Sequence, residues 1–434
     1  AIHEDAANGV TIKVDTNTNT TWRIGGKISG SGNWTKSGPG VLSLGQSNDT
    51  GPGNDFSGTL TVAGGTLDIR HGNSLGTTAG GTSIQDSILL MQNFSQTSGN
   101  TITVNEPLDF SGAAFLNGYC QENKAFTQQF NGTVTVAASA VLGISTARNS
   151  SGAIAPLLEL NGSTITTGSN SILSLGLRPA SLPANINAAP QTINIGSSIS
   201  GPGSVTAQGE SGSVYTLTSP GYSGNTTVNS ATLKLNAPNT NNQSSTVNLA
   251  TTGATLELNF DESGGPVTDT VDKLFIGGVQ QNAGVYKATD NVTDTGTGIS
   301  QITGAGTLTV TSSPSGFNSW ATANGIPGAL PGADADSDSL SNLTEYALGT
   351  SPTASTPAAG TWSGNTITFT KGATAIANGD VNYVIETSTD LGANDPWTAA
   401  VTQNAPDLST TIAYTFTPGS PARKFARLRT VLIP

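Results

Sequence analysis

Residues that commonly carry out chemistry are scarce in this sequence. It contains one cysteine, Cys120, and two histidines, His3 and His71, among 434 residues. One cysteine excludes an internal disulfide framework, and two histidines are too few for a histidine-based zinc site or a hydrolase triad. We expect Cys120 to be a small buried side chain in an apolar setting.

Charge is also sparse and is mostly negative. Charged residues make up 10% of the chain, with 16 Lys and Arg against 28 Asp and Glu, a formal net charge of −12. Nucleic-acid binding needs clustered positive charge, so this composition argues against that class. An acidic chain favours solubility and divalent cations. So low a charged fraction also argues against disorder.

Long apolar runs are missing. None approaches the roughly 18 residues that a membrane-spanning helix needs, so no transmembrane segment is expected. The sequence begins at Ala1 and not at a methionine, as a processed secretory precursor would. We therefore expect a secreted bacterial protein, either extracellular or on the cell surface.

The sequence is rich in glycine, with 54 residues, and in a short pattern that recurs up to about Thr311. In each copy a small residue precedes an apolar, a polar and an apolar residue, and a turn follows. A period of two places both apolar side chains on one face of a strand and the polar one on the other. The apolar pairs are Leu42 and Leu44, Leu60 and Val62, Leu67 and Ile69, Leu158 and Leu160, Leu173 and Leu175, Leu233 and Leu235, Leu256 and Leu258, and Leu308 and Val310.

Many short strands with frequent turns fit two architectures, a stack of β-sandwiches or a single β-solenoid. Successive pairs lie as close together as Leu60 and Leu67, which suits two strands that meet at a corner of one coil. We favour an all-β solenoid over residues 1–313. Its coils would stack about 4.8 Å apart, with the apolar pairs forming interior ladders.

The stretch GNWTKSGPGVLSLGQSN, followed by DFSGTLTVAGGTLDIRHGNSLG, resembles the autotransporter-associated β-strand repeat. That repeat has a Gly-x-Gly-x-Leu-x-Leu strand, an aromatic residue followed by Ser-Gly, and a Gly-Thr-Leu strand. The resemblance implies a right-handed β-helix passenger presented outside the cell. The matching positions are Gly38, Gly40, Leu42 and Leu44, then Phe56, Ser57 and Gly58, then Gly65, Thr66, Leu67 and Ile69, with a looser copy around Tyr222, Ser223 and Gly224 and a closing half-copy, ITGAGTLTV.

Residues 314–353 differ in composition and contain the sharpest chemical signal. A short helix is expected around Trp320, and a second over LTEYALG. Between them, ADADSDSLSN and the following Glu have the spacing of an EF-hand-type loop, similar to dockerin and thrombospondin type 3 calcium loops. Ser339 stands where such loops normally have Gly, which predicts a lowered affinity; the alternative is a solvated acidic linker. The predicted Ca²⁺ ligands are Asp334, Asp336, Asp338, Leu340, Asn342 and Glu345.

Residues 354–434 return to alternating strands separated by Gly, Asn, Asp and Pro. They predict a small β-sandwich whose core includes Trp362 and Trp397. The densest positive patch of the chain, Arg423, Lys424, Arg427 and Arg429, also lies here. It is either a solvated strand face or a basic edge that meets an acidic neighbour.

No catalytic residues and no cofactor other than Ca²⁺ are expected. Acidic residues in the predicted solenoid are scattered singly, and the adjacent Asp261 and Glu262 are expected in a loop. The favoured function is a structural or adhesive surface protein that joins end to end into a filament, with a further copy or surface glycans as partner. The alternatives are a polysaccharide-active enzyme on a β-helix, and a carbohydrate-binding protein that exposes Trp34, Trp320 or Trp397.

Overall fold

The structure is a computed structural model that describes most of the chain. His3 lies outside the described residues. By internal contacts the chain divides into an N-terminal unit, Ala1–Gly278 with Ala283–Ser312, and a C-terminal unit, Val279–Asn282 with Ser313–Pro434. The residues described are 10–15, 21–45, 53–93, 100–120, 126–148, 157–162, 164–180, 190–313, 316–355, 360–419 and 423–433.

Short strands account for nearly all regular structure up to residue 310. They are β1 (Val10–Lys13), β2 (Thr21–Ile24), β3 (Trp34–Ser37), β4 (Val41–Leu44), β5 (Leu60–Ala63), β6 (Thr66–Ile69), β7 (Thr82–Gln85), β8 (Ile88–Asn93), β9 (Asn100–Val104), β10 (Leu108–Ser111), β11 (Ala113–Cys120), β12 (Phe126–Phe130), β13 (Val134–Val136), β14 (Val141–Arg148), β15 (Leu157–Leu160), β16 (Thr164–Thr167), β17 (Ile172–Leu175), β18 (Thr192–Ser200), β19 (Ser204–Ala207), β20 (Val214–Ser219), β21 (Thr226–Val228), β22 (Thr232–Leu235), β23 (Thr246–Leu249), β24 (Thr255–Leu258), β25 (Thr268–Val271), β26 (Lys273–Ile276), β27 (Val279–Gln280), β28 (Gly284–Ala288), β29 (Thr297–Ile299), β30 (Ile302–Thr303) and β31 (Thr307–Val310).

The chain alternates between two long parallel sheets. Sheet A has the order β1-β3-β5-β7-β10-β13-β16-β18-β20-β22-β24-β30, with β9, β12 and β15 paired beside it; sheet B runs from β2 through β4, β6, β8, β11, β14, β17, β19, β21 and β23 to β26. Each strand pairs in parallel with a strand about one coil later, as Leu42 does with Leu67. A stack of antiparallel sandwiches would not give this pairing. The all-β prediction is confirmed, and the parallel sheets are compatible with a β-solenoid.

Interior ladders of apolar side chains run across both sheets. All eight apolar pairs of the sequence pattern lie in strands, and both members of each pair are buried. In sheet B the parallel register aligns one residue from each coil, and every residue of that ladder from β4 to β19 exposes no more than 1% of its surface. This ladder, called the sheet B ladder below, consists of Leu42, Leu67, Leu89, Leu116, Leu142, Leu173 and Val205.

In the two segments that resemble the autotransporter-associated repeat, the aromatic-Ser-Gly motif makes contacts within and between neighbouring coils. Phe56 is buried and packs edge-on against Trp34, with ring centroids 5.4 Å apart, and Tyr222 is likewise buried. The next residue, Ser57 in the first copy and Ser223 in the second, donates its backbone N–H to a glycine carbonyl of the preceding coil at 2.8 and 2.9 Å. A Cβ added at the following Gly58 would lie 2.0 Å from the Gly32 carbonyl oxygen. The motif therefore combines an interior anchor with a close backbone approach.

Two features of the N-terminal unit depart from the regular strand pattern of the sequence. The half-copy with Leu308 and Val310 is buried, but β31 pairs with β25 and β28 in a four-stranded sheet of its own, not in a long sheet. Polar residues between the apolar pairs are not all exposed, since Ser43, Asp68 and Ser174 of sheet B are buried. Sheet B has apolar packing on its other face as well, and this second cluster contains Ile88, Leu90, Tyr119 and Ala147 with Phe115 against it.

The C-terminal unit combines three helices with two antiparallel sheets. The expected helices around Trp320 and over LTEYALG are confirmed, and helix α3 was not foreseen. Side chains from both sides of residue 354, such as Tyr346 and Ile385, pack in one core. The predicted domain boundary at residue 354 stays a prediction. The predicted β-sandwich over residues 354–434 also stays a prediction. The elements are α1 (Gly316–Ala323), α2 (Asn342–Leu348), α3 (Ala373–Asn378), the sheet of β32 (Thr361–Ser363), β33 (Thr366–Thr370) and β36 (Thr411–Thr415), and the sheet of β35 (Thr398–Gln403), β34 (Val381–Ser388) and β37 (Phe425–Leu432).

A buried carboxyl group makes the stability of the N-terminal unit depend on pH. Glu106, between β9 and β10, is 4% exposed, and its Oε1 has no hydrogen-bond partner. Burial raises the pKa of Glu106 from 4.5 to about 7. The folded state therefore holds this proton more tightly than the unfolded chain, so the contribution of Glu106 to stability is complete below about pH 4.5 and is lost as the pH rises to about 7.

We expect the free energy of unfolding to fall between pH 5 and pH 8, with Glu106 responsible for on the order of 2–3 kcal/mol. Glu106→Gln should reduce this slope, because a neutral amide replaces the carboxyl group. Guanidinium unfolding of the whole chain at several pH values measures it, with exposed Glu210→Gln as the matched control. An unchanged slope in Glu106→Gln would contradict the assignment.

Candidate functional site

Three aspartates of the loop before α2 lie close together. One carboxylate oxygen from each of Asp334, Asp336 and Asp338 lies within 4.8 Å of the others. It is the one group of three or more potential metal-ligating side chains found among the described residues. Hard oxygen donors at this separation suit Ca²⁺, which takes carboxylate and carbonyl ligands.

Backbone hydrogen bonds within the loop orient these carboxylates. Asp334 accepts the N–H groups of Ser337 at 2.7 Å and Ser339 at 2.9 Å, and Asp338 accepts that of Leu340 at 2.8 Å. The N–H of Ser339 is the main cause that lowers the pKa of Asp334. Ser339 has φ +78°, in the left-handed region where glycine is favoured, so the turn forms despite its side chain.

Glu345 supplies the strongest indication that the residues of the loop suit a cation. It lies in the first turn of α2, it is fully buried, and neither carboxylate oxygen has a hydrogen-bond partner. Burial, followed by the charges of Asp336, Asp338 and Asp334, raises the pKa of Glu345 to about 7. An unpaired buried carboxylate is costly, and a divalent cation would offset this cost. The donor set therefore fits Ca²⁺.

The side chain of Asn342, one of the predicted Ca²⁺ ligands, is already engaged in hydrogen bonds to the backbone. It is buried, its Oδ1 accepts the Ala335 N–H at 3.2 Å, and its Nδ2 donates to the Leu330 carbonyl at 3.2 Å. It therefore ties the start of the loop to the start of α2. The structure brings the four predicted carboxylates into one electrostatic group, and the full six-residue ligand set stays a prediction.

Helix α2 fixes Glu345 against the core of the C-terminal unit. Ser341 caps the helix by accepting the Thr344 N–H at 3.3 Å, and the helix ends at Gly349, which has φ +74°. One turn from the loop, Tyr346 is fully buried and donates its hydroxyl to Asp380 at 2.8 Å. Cation binding at the loop would thus be transmitted directly to the core.

The buried acidic residues that the structure describes in the N-terminal unit do not form a cluster. Asp68 is buried with Arg70, whose Nε donates to it at 2.8 Å, and burial raises the pKa of Asp68 although Arg70 opposes the shift. This ion pair was not predicted from the sequence; its signal was an Asp between Leu67 and Ile69 with an Arg two residues later. The loop position expected for Asp261 and Glu262 is confirmed.

The tryptophans proposed as exposed sugar contacts are mostly misassigned. Trp34 and Trp320 are buried, at 2% and 9% exposure, because they pack in the two cores. Trp397 is half-buried under the guanidinium group of Arg427, 4.4 Å from the ring centroid. Trp362, expected in the core, is instead 59% exposed.

The basic run of the last strand does not form a free patch. Arg427 and Arg429 both bind Glu386, at 2.8 and 2.6 Å, and together lower the pKa of that carboxyl group against the opposing effect of burial. Lys424 donates to the Tyr414 hydroxyl at 2.9 Å.

Cys120 is buried as expected.

Comparisons with protein-family models, with curated proteins and with solved structures all find no match. The resemblances to the autotransporter-associated repeat and to dockerin-type loops therefore stay predictions. Within the described ranges, no helix combines the length and apolarity needed to cross a membrane.

We expect Ca²⁺ to stabilise the C-terminal unit. At a free calcium concentration about 100-fold above Kd, the free energy of unfolding should rise by about 2.7 kcal/mol. Glu345→Gln should abolish most of this rise and stabilise the calcium-free protein, because it removes an uncompensated buried charge. Thermal unfolding in Ca²⁺ and in EGTA measures it, with exposed Asp290→Asn as control; no response of the wild type at about 10 mM Ca²⁺ would contradict the site.

Ser339 should be a strained position in the loop. Ser339→Gly is expected to be about 0.5–1 kcal/mol more stable than Ser339→Ala, because only glycine adopts the left-handed conformation without a Cβ clash. Thermal unfolding of the two variants in the same buffer tests this. Equal stabilities would show that the loop does not hold Ser339 in that conformation.

Proposed function

We propose that the protein is a secreted structural or adhesive surface protein. In this proposal the N-terminal unit is a right-handed β-solenoid that serves as a spacer, it assembles end to end, and the C-terminal unit is stabilised by Ca²⁺. The observation that carries the proposal is one buried apolar cluster to which every strand contributes, from β3 to β24 in sheet A and from β4 to β26 in sheet B. Such a unit gains its stability from neighbouring coils and can be extended without a cleft.

The scarcity of convergent ionisable groups favours this function over polysaccharide cleavage. Glycoside hydrolysis needs two carboxyl groups on opposite sides of the scissile bond. The buried acids described in the N-terminal unit have other settings: Asp68 is paired with Arg70, Asp269 accepts a hydrogen bond from Asn242, and Glu106 is buried beside a strand end. These settings favour structural roles.

The calcium loop has a structural role in this proposal. Its four carboxylates repel one another, and Glu345 is carried by a helix whose Tyr346 lies in the core. Ca²⁺ would therefore be required for a rigid C-terminal unit under extracellular conditions, where millimolar calcium suits weak loops.

A panel of neutral and acidic polysaccharides, incubated with the whole protein in Ca²⁺, tests the function. We expect no new reducing ends and no unsaturated products, and we expect discrete assemblies in negative-stain electron microscopy. Reproducible turnover that Glu106→Gln or Asp68→Asn abolishes would overturn the non-enzymatic proposal.

Carbohydrate binding is a second candidate function, favoured by an aromatic ledge formed by Trp362, Phe416 and Tyr414. Trp362 stacks on Phe416 with centroids 5.3 Å apart and planes 29° apart, and Phe416 contacts Tyr414 edge-on at 4.8 Å. The exposed ring of Trp362 offers an apolar face, and the amine of Lys424, bonded to the Tyr414 hydroxyl, adds a polar group to the ledge, which together suit contact with a sugar ring. Binding of the same polysaccharides, lost in Trp362→Ala, would support this second function.

A further inference from the structure

The first coil of sheet B ends in an uncovered interior position. Trp22 in β2 is paired in register with Leu42 and so continues the sheet B ladder. Leu42 is 1% exposed, whereas Trp22 is 62% exposed. Among the described strands β2 is the terminal strand of sheet B, whereas β4 is covered by a strand on each side. A large aromatic side chain thus occupies a core position without its next layer.

The backbone at this end is also open. Strands β1 and β2 are the terminal strands of sheets A and B, and no described strand pairs with their outer edges. Val10, Ile12 and Ile24 are only partly buried against the core. Unpaired strand edges with apolar side chains are templates for another strand.

Beyond β24 the N-terminal unit is different, because it also contains the four-stranded sheet. Tyr286, Leu308 and Val310 of that sheet are buried in the same core as Leu256 of β24. Two large apolar side chains are strongly exposed in the described part of this unit: Trp22 lies in a strand, and Val292 lies outside any strand. Head-to-tail stacking would therefore bring together two ends of different structure.

We propose that the open end binds the open end of a second copy, with β2 of one copy antiparallel to β2 of the other around a two-fold axis. This inference rests on the end-to-end assembly proposed above and specifies its partner. The unpaired backbone N–H and C=O groups of two identical edges can hydrogen-bond to each other. Because the contact has two-fold symmetry, it involves two copies and does not extend into a filament. Two described acidic residues near this end are each paired with a lysine, Asp15 with Lys13 at 3.0 Å and Asp55 with Lys27 at 2.5 Å, so their charges are compensated within one copy.

Charge favours one of two registers compared for this contact, the register centred on Trp22 over the register centred on Arg23. Centring the axis on Trp22 places Trp22 opposite its symmetry mate, with Thr21 opposite Arg23. Centring it on Arg23 would place two arginines directly opposite each other, which is destabilising. The register centred on Trp22 also buries both indole rings against the ends of the two sheet B ladders.

The mass of the whole protein in solution, measured by light scattering over a concentration series up to about 100 µM, tests the proposal. We expect a dimer that Trp22→Asp weakens by roughly a hundredfold or more, since an interface aromatic is replaced by a charge. Val292→Asp, the same change at an exposed apolar residue of the same unit, should leave the dimer intact. Circular dichroism checks that both variants are folded.

A cysteine pair tests the register while Trp22 is kept. Directly opposite residues of an antiparallel pair lie about 4.5–5.5 Å apart at Cα, within disulfide range. Thr21→Cys mixed with Arg23→Cys should form a disulfide-linked dimer on mild oxidation, whereas either variant alone should not. The native Cys120 is buried and does not interfere.

A wild-type protein that is monomeric at all concentrations would overturn this inference and leave the non-enzymatic surface function standing. Open-ended filaments would overturn the head-to-head contact but support end-to-end assembly. Equal dissociation by Trp22→Asp and Val292→Asp, or cross-linking of each cysteine variant with itself, would also contradict it.

Discussion

Apolar side chains stacked from coil to coil are the interaction on which the N-terminal unit depends. Each coil is too short to bury its own leucines, and its backbone edges are satisfied only by the coils before and after it. Parallel register fixes which side chains meet, so that Leu42, Leu67 and Leu89 form one continuous column. The stability of a coil therefore depends on contacts with its neighbours. A terminal coil that has a neighbour on one side only is the part of the unit that can pair with another chain.

Polar groups inside this apolar stack follow the same constraint. Lys36 occupies the ladder position between Ile12 and Val62, and its Nζ donates to the carbonyl of Gly38 at 2.7 Å and to that of Gly64. Burial lowers the pKa of Lys36 to about 8. The amine closes the turns that surround it, because its hydrogen bonds go to backbone carbonyls at the corners of two coils.

Much of the fold could be predicted from the sequence because it is encoded locally. A period of two in pairs such as Leu60 and Val62 determines a strand and its buried face. The burial of Ser43 and Asp68 could not be predicted, since it depends on what covers the other face of sheet B. Likewise, strand character predicted β31 but not its partners, because pairing between distant segments has no local signal.

The candidate site could be predicted to a similar extent. Alternating Asp residues with a Glu at the last position identify Asp334, Asp336, Asp338 and Glu345 as a group, since the spacing itself carries the ligand pattern. Sequence could not show that Glu345 is buried without a partner, nor that Asn342 braces the loop, because both depend on how α2 packs. The exposure of Trp362 was missed for the same reason: an aromatic in a strand does not reveal what lies over it.

The central claim is tested most directly by removing one layer of the sheet B ladder. Leu142→Ala deletes a fully buried side chain in the middle of the stack, and Thr135→Ala changes an exposed side chain of neighbouring β13. In guanidinium unfolding, the account predicts a loss of about 2–5 kcal/mol for Leu142→Ala and less than about 1 kcal/mol for Thr135→Ala. Similar small losses for both would contradict the claim that stacked apolar side chains hold the coils together.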